Sequence, residues 1–519
     1  MRLFYKIFIA GFIFLGIVTS CTDLDETLYS QILQDEFFQT EEEVIAAIAP
    51  VYGNLRNFTG NTWQLGTHST DESLTPEKAL GHWYGEDWPL INSHKWNTQH
   101  VRFNGAWNNN FTIVNTANKV LYQLESVTEM SPELKSQFVA ELKLVRGFGY
   151  YHLIDLFGNV PLIVDWEIED DTPPNVQRAE IFNFIVDDIE SNIQFLSDQV
   201  NNSTYGRFHK YAAYALLAKY YLNAEVWTGI PQWNKVIESC DNIIESGKFS
   251  LTDNYFDNFL IANENSKENI FVIPYDEIYA TGNSIHMRAL HYAQRNQFNL
   301  RATPWNGFTA VPSFIHSFDS EDKRLKGWLW GQQYSSSGQM LYCNQESSGK
   351  PLILTIDYEN VFDPDDPVIY GPTYALEFMG ARFAKYEYWN FTGSANNDFV
   401  VFRYADILLM KAEALMRQNG GIATPEAVEL VNLVRARAFD DPSKLYSLTT
   451  LTLDALLAER GWEFYCEGFR RNDLVRFNKF IKGTWEFYDR SWETEDYNLF
   501  PIPQPQINAN PDLKQNPGY

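Results

Sequence analysis

Residues 211–227 read Tyr-Ala-Ala-Tyr-Ala-Leu-Leu-Ala-Lys-Tyr-Tyr-Leu-Asn-Ala-Glu-Val-Trp, a run in which small and long apolar side chains recur with helical spacing. After a short turn, residues 233–247 continue with apolar side chains at i, i+3 and i+4. Residues 404–438 repeat this order of a small-residue helix, a turn and a second helix. The unit is close in length to a tetratricopeptide repeat (TPR), although neither stretch carries the full repeat signature. The sequence therefore predicts a mainly α-helical fold with TPR-like helical hairpins as its scaffold.

Helical periodicity extends outward from these two hairpins. Further helices are predicted at residues 41–56, 106–125, 132–157, 178–196, 401–418, 424–437, 453–467 and 473–482. Two regions have no sustained period: about 57–104, rich in Gly, Asn, His and Trp, and about 251–398, with frequent Gly, Ser, Pro and Asp and a further cluster of Trp and Tyr. This predicts long irregular loops with few short strands. Because helical and loop segments alternate along the chain, we expect residues 41–519 to form a single intertwined domain.

The composition excludes several functional classes. The chain has 519 residues, 45% of them hydrophobic, which is enough to bury a large core. Its 40 Lys and Arg residues stand against 67 Asp and Glu residues, a formal net charge of -27. Such a charge repels phosphate backbones, so no nucleic-acid partner is expected. The four cysteines are too widely spaced for a zinc pattern or a disulfide framework.

The N-terminus predicts a lipoprotein. Basic residues at the start are followed by an apolar run over residues 7–18 and by Val18-Thr19-Ser20-Cys21, which fits a lipobox. Residues 1–20 are therefore predicted to be a signal peptide, Cys21 the lipidated residue, and residues 21–40 the lipidated N-terminus and tether. An ordinary secretory signal or a short membrane anchor is the alternative, but the apolar run is short for a spanning helix. The acidic residues 22–26 resemble a surface-export signal of Bacteroidetes-type lipoproteins.

A row of carboxylates near the C-terminus offers candidate chemistry. Glu459, Glu463 and Glu467 are spaced i, i+4 and i+8, so they share one helix face, with arginines close by. A hydrolase would use two such groups as acid and base. Carboxylates one turn apart beside arginines more often form a structural ion-pair network, and we favour this interpretation. Arg403 and Asp406 are expected to tie their helix to its neighbours in the same way.

The histidines predict a metal site only weakly. One window of the chain combines histidines with carboxylates: His68, Asp71, Glu72, His82, Asp87, His94 and His100. No pair of these histidines has the i, i+4 spacing of the HExxH motif, and the window is predicted to be loop. Nucleophile-elbow, dinucleotide-binding and P-loop motifs are absent from the sequence. We therefore expect no metal, no cofactor and no catalytic residues, and a protein that is not an enzyme.

The irregular regions are rich in aromatic residues, which make up 16% of the whole chain. Sugar rings bind through their apolar faces to flat side chains, and through their hydroxyls to amide, carboxylate or guanidinium groups. The predicted glycan-binding residues are Asp71, Trp83, Trp88, Asn92 and Trp96 in the first region and Tyr292, Arg301 and Trp305 in the second. A tryptophan in a long loop can also be buried in the core and anchor the loop there. For Trp107 and Trp305 this alternative is at least as strong as a role in glycan binding.

Four motifs, in order along the chain, resemble the SusD/RagB family of outer-membrane glycan-binding lipoproteins. They are VRGFGYY at 145–151 with LFGNVPL at 156–162, FRYADILL at 402–409, ERGWEF at 459–464 with EGFRRNDLVR at 467–476, and the closing PIP at 501–503 with QNPGY at 515–519. The resemblance covers essentially the whole chain after Cys21. It implies a SusD-like α-helical fold with TPR-like units.

The resemblance also implies a function. A SusD-like protein binds a glycan at the cell surface without cleaving it and delivers it to a TonB-dependent, SusC-like transporter of a polysaccharide-utilisation system. The expected location is the outer membrane, with the lipid on Cys21 as anchor and the protein exposed at the surface. Two alternatives stay open. One is a peptide- or protein-binding scaffold lipoprotein of the same kind of transporter. The other is a surface glycosidase, for which Asp71, Glu72, Glu86 and Asp87 are the nearby carboxylates.

Overall fold

The computed structural model describes residues 41–78, 87–128, 130–167, 171–345, 347–359, 375–481, 484–485 and 487–519. Within them the protein is mainly α-helical with few short strands, which confirms the predicted fold class. Cys21 and the predicted signal peptide and tether lie outside the described residues, and so does Trp83.

The helices differ widely in length. In chain order they are α1 (Glu41–Asn54), α2 (Asn61–His68), α3 (Asp87–Ser93), α4 (Val101–Glu125), α5 (Pro132–Phe157), α6 (Arg178–Asn192), α7 (Lys210–Leu222), α8 (Ala224–Thr228), α9 (Trp233–Ile244), α10 (Ile285–Ala289), α11 (Pro312–His316), α12 (Tyr404–Gln418), α13 (Pro425–Ala436), α14 (Leu453–Phe464), α15 (Arg470–Arg476) and α16 (Gln504–Ala509). Short 3-10 turns connect several of them.

The strands form two-stranded antiparallel pairs. They are β1 (Ser73–Leu74), β2 (Asn269–Ile273), β3 (Thr309–Ala310), β4 (Trp328–Leu329), β5 (Gly331–Gln332), β6 (Ile353–Leu354), β7 (Arg382–Phe383), β8 (Phe399–Arg403), β9 (Thr484–Trp485) and β10 (Tyr488–Asp489). The pairs are β1 with β3, β2 with β8, β4 with β7, β5 with β6 and β9 with β10. The β2–β8 pair is the longest and leads directly into α12, so it ties the middle of the chain to the second hairpin.

Local sequence explains where the main helices begin. The Ser131 hydroxyl accepts a hydrogen bond from the Leu134 N–H at the start of α5, and Pro132 occupies the first helical turn. Thr424 and Pro425 repeat this arrangement at α13, and Thr452 caps α14. Capping hydroxyls accept hydrogen bonds from N–H groups that have no partner inside the helix. Proline suits the first turn because it has no N–H that would need such a partner.

The two predicted hairpins lie against each other. Helix α7 packs against α9, α9 packs against α12, and α12 packs against α13. Helices α4, α5 and α6 pack in the same serial way, and α6 also contacts α7. The helical scaffold is therefore one continuous stack from α4 to α13. In the described part of the chain, no helix is both long and apolar enough to cross a bilayer.

Some predicted boundaries were wrong. The region 57–104 is not loop throughout, because it contains the short helices α2 and α3. Every residue of α2 after Asn61 is buried, although the segment is short and contains the polar residues Thr62, Gln64, Thr67 and His68, a composition typical of a loop. The helix predicted at 473–482 runs instead over Arg470–Arg476. The helix predicted from residue 106 begins earlier, at Val101, where His100 provides the cap.

The glutamate row on α14 lies in a buried ion-pair cluster. Glu463 receives hydrogen bonds from Arg324, Arg403 and Arg437, and all of these side chains are almost completely buried. The other members of the cluster are Glu268, Asp322, Lys385, Arg435, Glu459 and Glu467. Burial alone would raise the pKa of Glu463, but Arg437, Arg403 and Arg324 outweigh it and hold that pKa far below its usual value. The prediction of a structural ion-pair network is confirmed.

Arg403 and Asp406 also tie their helix to its neighbours, as predicted. Arg403 joins the start of α12 to Glu463 and Glu467 near the end of α14. Asp406 accepts from Lys219 of α7 and from Arg460 of α14.

Candidate functional site

An open cavity of about 680 Å³ lies in the second loop-rich region. One wall is the 3-10 turn Tyr292–Arg295 and the segment after it, and the other wall is a β-hairpin over residues 333–342. The lining residues are Tyr292, Ala293, Arg295, Asn296, Asn299, Thr303, Ser335, Ser336, Ser337, Gln339, Met340, Leu341, Tyr342 and Asn344. We call this space the 292–342 cavity.

A capping box fixes the first wall. The Nδ1 atom of His291 accepts a hydrogen bond from the Ala293 N–H at 3.1 Å, and the Gln294 Oε1 accepts from the His291 N–H at 2.8 Å. Because Nδ1 is an acceptor, the proton of the neutral ring lies on Nε2. Burial lowers the pKa of His291 to about 4, so the ring is neutral at pH 7.

The hairpin that forms the second wall is held by its own small core. Tyr334 pairs with Met340, Tyr342 pairs with Pro351, and the Ser335 N–H donates to the Gln339 carbonyl at 2.8 Å. Behind the hairpin, four side chains form a separate apolar cluster against which Ala293 of the first wall packs: Leu341, Cys343, Leu352 and Leu354. The hairpin therefore presents Tyr342 and its serine hydroxyls to the cavity while its other side is buried.

Glu377 joins the two walls. Its buried carboxylate accepts from the His291 Nε2 at 3.1 Å on the first wall. It also accepts from the backbone N–H groups of Asn344, Gln345 and Ser347 at the base of the hairpin, at 3.0–3.1 Å. Burial alone would raise the pKa of Glu377, but the hydrogen bonds from His291 and the backbone outweigh it, and the pKa is lowered. One ionised carboxylate thus sets the spacing of the cavity walls.

The lining is chemically suited to a ligand rich in hydroxyl groups. Tyr342 is 48% exposed and offers an aromatic face, while asparagine amides and serine hydroxyls supply donors and acceptors. Asn299 has a φ of 50°, a left-handed conformation that asparagine tolerates better than most residues. Among the described residues that line the cavity there is no Asp, Glu or His. These residues can therefore bind a ligand but offer no acid–base pair for hydrolysis.

The predicted platform residues of the first region lie in the core. Trp88 is 3% exposed and packs against His68 and Phe308. Trp96 is 5% exposed, and its Nε1 donates to the Tyr519 hydroxyl at 2.7 Å. Neither ring has a face free for a sugar, and this corrects the prediction for both residues.

The two polar residues predicted in that region have structural partners. The buried Asn92 donates from Nδ2 to three backbone carbonyls, those of His68, Thr70 and Ser73, at 3.1–3.2 Å. This bonding corrects its assignment as a glycan contact. The partly exposed Asp71 accepts two hydrogen bonds of 2.7 Å from Arg470, so its carboxylate anchors the loop to α15. A role for Asp71 in binding a ligand stays a prediction.

The structure separates the three predicted residues of the second region. Tyr292 lines the cavity. Trp305 is half-buried, with the Arg288 guanidinium 5.7 Å from its ring, and Arg301 is exposed and bonded to Glu277. Neither Trp305 nor Arg301 lines the cavity, and their assignment as glycan contacts stays a prediction. Trp107, for which a core role was considered, is 4% exposed.

Sequence reasoning missed most of the cavity lining. It did not identify the asparagines after Tyr292, the serines at 335–337 or Tyr342. One available signal was the stretch Tyr-Ser-Ser-Ser-Gly-Gln-Met-Leu-Tyr over 334–342, in which Gly338 marks a hairpin turn and polar residues crowd one end. The segment was missed because the prediction relied on tryptophan content, and residues 334–342 contain no tryptophan.

The described histidines of the first region have structural roles. The His94 ring contacts Glu493 at 2.7 Å and the Ser69 carbonyl at 2.9 Å, and His100 caps α4. His68 packs between aromatic rings, and burial lowers its pKa to about 3. His82 lies outside the described residues. In the described part of the chain, no three His, Cys, Asp or Glu residues are grouped so that they could hold a metal ion.

Comparisons with known proteins give a consistent result. A model of the SusD family matches residues 242–519, and a second model, described as starch-binding associating with outer membrane, matches residues 24–222. The starch-binding protein SusD of Bacteroides thetaiotaomicron is 26% identical over 481 residues, which cover 86% of this chain and 84% of that protein.

Solved structures share the fold. A laminarin-binding SusD-like protein matches with a TM-score of 0.72 and 21% identity, over 93% of this chain and 100% of that one. Surface glycan-binding protein A from Bacteroides thetaiotaomicron, in complex with laminarihexaose, matches with a TM-score of 0.72 and 21% identity, over 92% of this chain and 100% of that one. All of these are named as binding proteins, in agreement with the prediction that the chain is not an enzyme. The second family model also supports an association with the outer membrane.

Proposed function

The chain belongs to the SusD family, and on this premise we propose that it binds a glycan in the 292–342 cavity without cleaving it. The observation that carries the proposal is the lining itself, in which Tyr292 and Tyr342 accompany three asparagine amides, three serine hydroxyls and no acidic residue. The cavity volume of about 680 Å³ lies within the range of small-molecule sites, about 300–1,000 Å³. Tyrosine faces would hold sugar rings, and the amides and hydroxyls would bond to sugar hydroxyls.

The proposal includes a location and a partner. A lipid on Cys21 would hold the protein at the outer membrane, with the cavity accessible from outside the cell. The glycan would then pass to a TonB-dependent, SusC-like transporter, as in the family that the chain's motifs resemble.

A binding screen tests the first part. The soluble chain from Thr22 onward is run by affinity electrophoresis in gels that contain starch, laminarin and other plant, host and microbial polysaccharides. At least one polysaccharide should retard the wild-type protein. Tyr292→Ala and Tyr342→Ala should each weaken binding about tenfold, the effect of losing one interface aromatic. Tyr122→Ala, on the outer surface of α4 and far from the cavity in sequence, is the matched control and should bind like wild type.

Other outcomes contradict the proposal in distinct ways. No retardation across the panel, together with capture of peptides, would favour the peptide-binding scaffold. Hydrolysis of a bound polysaccharide by the purified protein would favour the glycosidase. Retardation that survives both tyrosine substitutions would place the glycan site elsewhere on the molecule.

The location and partner have their own test. Cys21→Ser should shift the full-length protein from the membrane fraction to the soluble fraction. A transporter of the TonB-dependent class should copurify with the wild-type protein in mild detergent. A lone protein in that extract would contradict the proposed partnership.

A further inference from the structure

An apolar groove of about 220 Å³ lies along one face of α1. That face carries side chains at helical spacing: Ile45, Ile48, Ala49 and Tyr52. Phe138 of α5 and Pro274, which follows β2, form the opposite side. Ile45 is 44% exposed, so the described part of the chain leaves this end of the groove open to water. We call this space the α1 groove.

The size of the α1 groove indicates that it accommodates a side chain rather than a separate ligand. Small-molecule sites commonly have volumes of about 300–1,000 Å³, which is more than this groove offers. An apolar cavity of about 150 Å³ is already large enough to bind benzene. The α1 groove can therefore hold the ring of one aromatic side chain.

Two arginines line the α1 groove, and among the described residues only one of them has a counter-charge. Arg207 donates to the Glu141 carboxylate by bonds of 2.8 and 3.0 Å. The Arg56 Nε donates to the Pro274 carbonyl at 3.2 Å, and no described carboxylate pairs with this guanidinium. A segment that combines apolar side chains with acidic ones would complement both the groove and Arg56.

The chain carries such a segment directly before α1. Residues 32–38 read Ile-Leu-Gln-Asp-Glu-Phe-Phe, two apolar pairs around two acidic residues. Thr40 and Glu43 have the spacing of a capping box, and an apolar residue just before such a box commonly packs against the first turns of its helix. Phe38 lies three residues before the start of α1, a distance of at most about 11 Å. Ile45 lies about 6 Å along the helix from that start, so Phe38 can reach it.

We propose that residues 32–38 of the same chain occupy the α1 groove. Phe38 packs against Ile45, and the two carboxylates of the segment lie toward Arg56. The docking concerns the attachment of the protein and does not rest on glycan binding.

Docking would shorten the tether between the body and the lipid. The tether of residues 22–40, which spans at most about 68 Å, becomes residues 22–31, which span at most about 36 Å. The α1 groove would thus hold the body closer to the membrane, and this consequence alone rests on the lipid proposed at Cys21.

Hydrogen exchange of the soluble chain from Thr22 onward tests the docking, with a free peptide of residues 22–40 as the reference. The amides of residues 32–38 should exchange about tenfold more slowly in the chain than in the peptide. Ile45→Gln removes an apolar side chain of the groove, and Phe38→Ala removes the docked ring. Each substitution should return the exchange of residues 32–38 to the rate in the peptide.

Leu433→Gln is the matched control, because Leu433 is also an exposed apolar residue of a helix, 50% exposed on α13. It should leave the exchange of residues 32–38 slow. Exchange in the wild-type chain as fast as in the peptide would overturn the docking. Slow exchange that survives Ile45→Gln would also overturn it, since the segment would then lie elsewhere.

The occupant could instead come from a second copy of the chain. Protection of residues 32–38 that disappears on dilution of the protein would show this and would overturn docking within one chain. The soluble chain carries no lipid, so a failure of the docking is distinct from a failure of the lipid anchor, which Cys21→Ser tests separately.

Discussion

Glu377→Gln tests whether one carboxylate holds the binding cavity open. The substitution keeps the shape of the side chain but replaces one acceptor oxygen by an NH₂ group. Oε1 of Glu377 is the acceptor for the Ser347 N–H, and Oε2 is the acceptor for the His291 Nε2 and the Asn344 N–H. In either orientation of the glutamine amide, at least one of these donors faces the NH₂ group instead of an acceptor oxygen.

The expected magnitude follows from these contacts. A buried donor that loses its acceptor costs about 1–3 kcal/mol. Glu377→Gln should therefore lower the free energy of unfolding by about 1–3 kcal/mol. Glu377→Ala strands both His291 and Ser347, which are buried, and should cost about 2–6 kcal/mol. Since the lost bonds join the two walls of the cavity, glycan affinity should fall less in Glu377→Gln than in Glu377→Ala.

Urea unfolding and hydrogen exchange measure the effect. The Asn344, Gln345 and Ser347 amides should exchange faster in Glu377→Gln than in wild type, while the amides of α7 and α12 should not change. Glu387→Gln is the matched control, because the exposed Glu387 accepts a single hydrogen bond from the Ile261 N–H. Unchanged exchange at these three amides, with unchanged glycan affinity, would refute the reasoning.

Three further predictions concern charge, pH and backbone. Glu463→Gln removes a carboxylate that Arg324, Arg403 and Arg437 share and leaves the buried cluster with one uncompensated positive charge, so it should cost about 3–5 kcal/mol by urea unfolding. Glu426→Gln is the control: Glu426 is 51% exposed and paired with Lys411, so the substitution should cost less than about 1 kcal/mol. Burial lowers the pKa of His94, His209, His286 and His291 to about 4. Between about pH 6.5 and 4 the unfolded chain therefore binds protons that the folded chain does not, and the free energy of unfolding should fall as the pH falls through this window. A free energy of unfolding that does not change with pH in urea titrations would contradict this. Asn299→Gly preserves the left-handed backbone and should weaken glycan binding without loss of stability. Asn299→Ala should weaken binding and also lower the free energy of unfolding by about 1 kcal/mol. Equal melting temperatures for the two variants would argue against backbone strain at this site.

The helical scaffold could be predicted because its signal is local. Residues 211–247 and 404–438 show helical spacing within each segment. Residues 404–438 fold as the predicted pair of helices, and residues 211–247 fold as α7 and α9 with the short helix α8 between them. The packing of α9 against α12 could not be predicted, since nothing in a single sequence states which hairpin faces meet. The short helix α2 was missed because its eight residues are mostly polar, a composition typical of a loop, and their burial depends on packing against distant parts of the chain.

The candidate site was harder to predict than the fold. Composition pointed to the second loop-rich region, where Tyr292 lines the cavity, but it could not distinguish a ligand platform from a tryptophan buried in the core. Trp96 shows why, because its partner Tyr519 lies 423 residues away in sequence. No sequence pattern marks Glu377 either, because its role depends on a loop and a histidine that are brought together only by folding.

The ion-pair cluster under α14 has a consequence for the outside of the molecule. Its five cations, Arg324, Lys385, Arg403, Arg435 and Arg437, are matched by five carboxylates, Glu268, Asp322, Glu459, Glu463 and Glu467. The cluster is neutral as a whole, so the formal charge of -27 is carried by the rest of the chain. At about 0.1 M salt such a surface repels anions over a distance of about 10 Å. Sulfated or uronic-acid polymers would meet this repulsion and uncharged glycans would not, so the surface discriminates by charge before any sugar reaches the cavity.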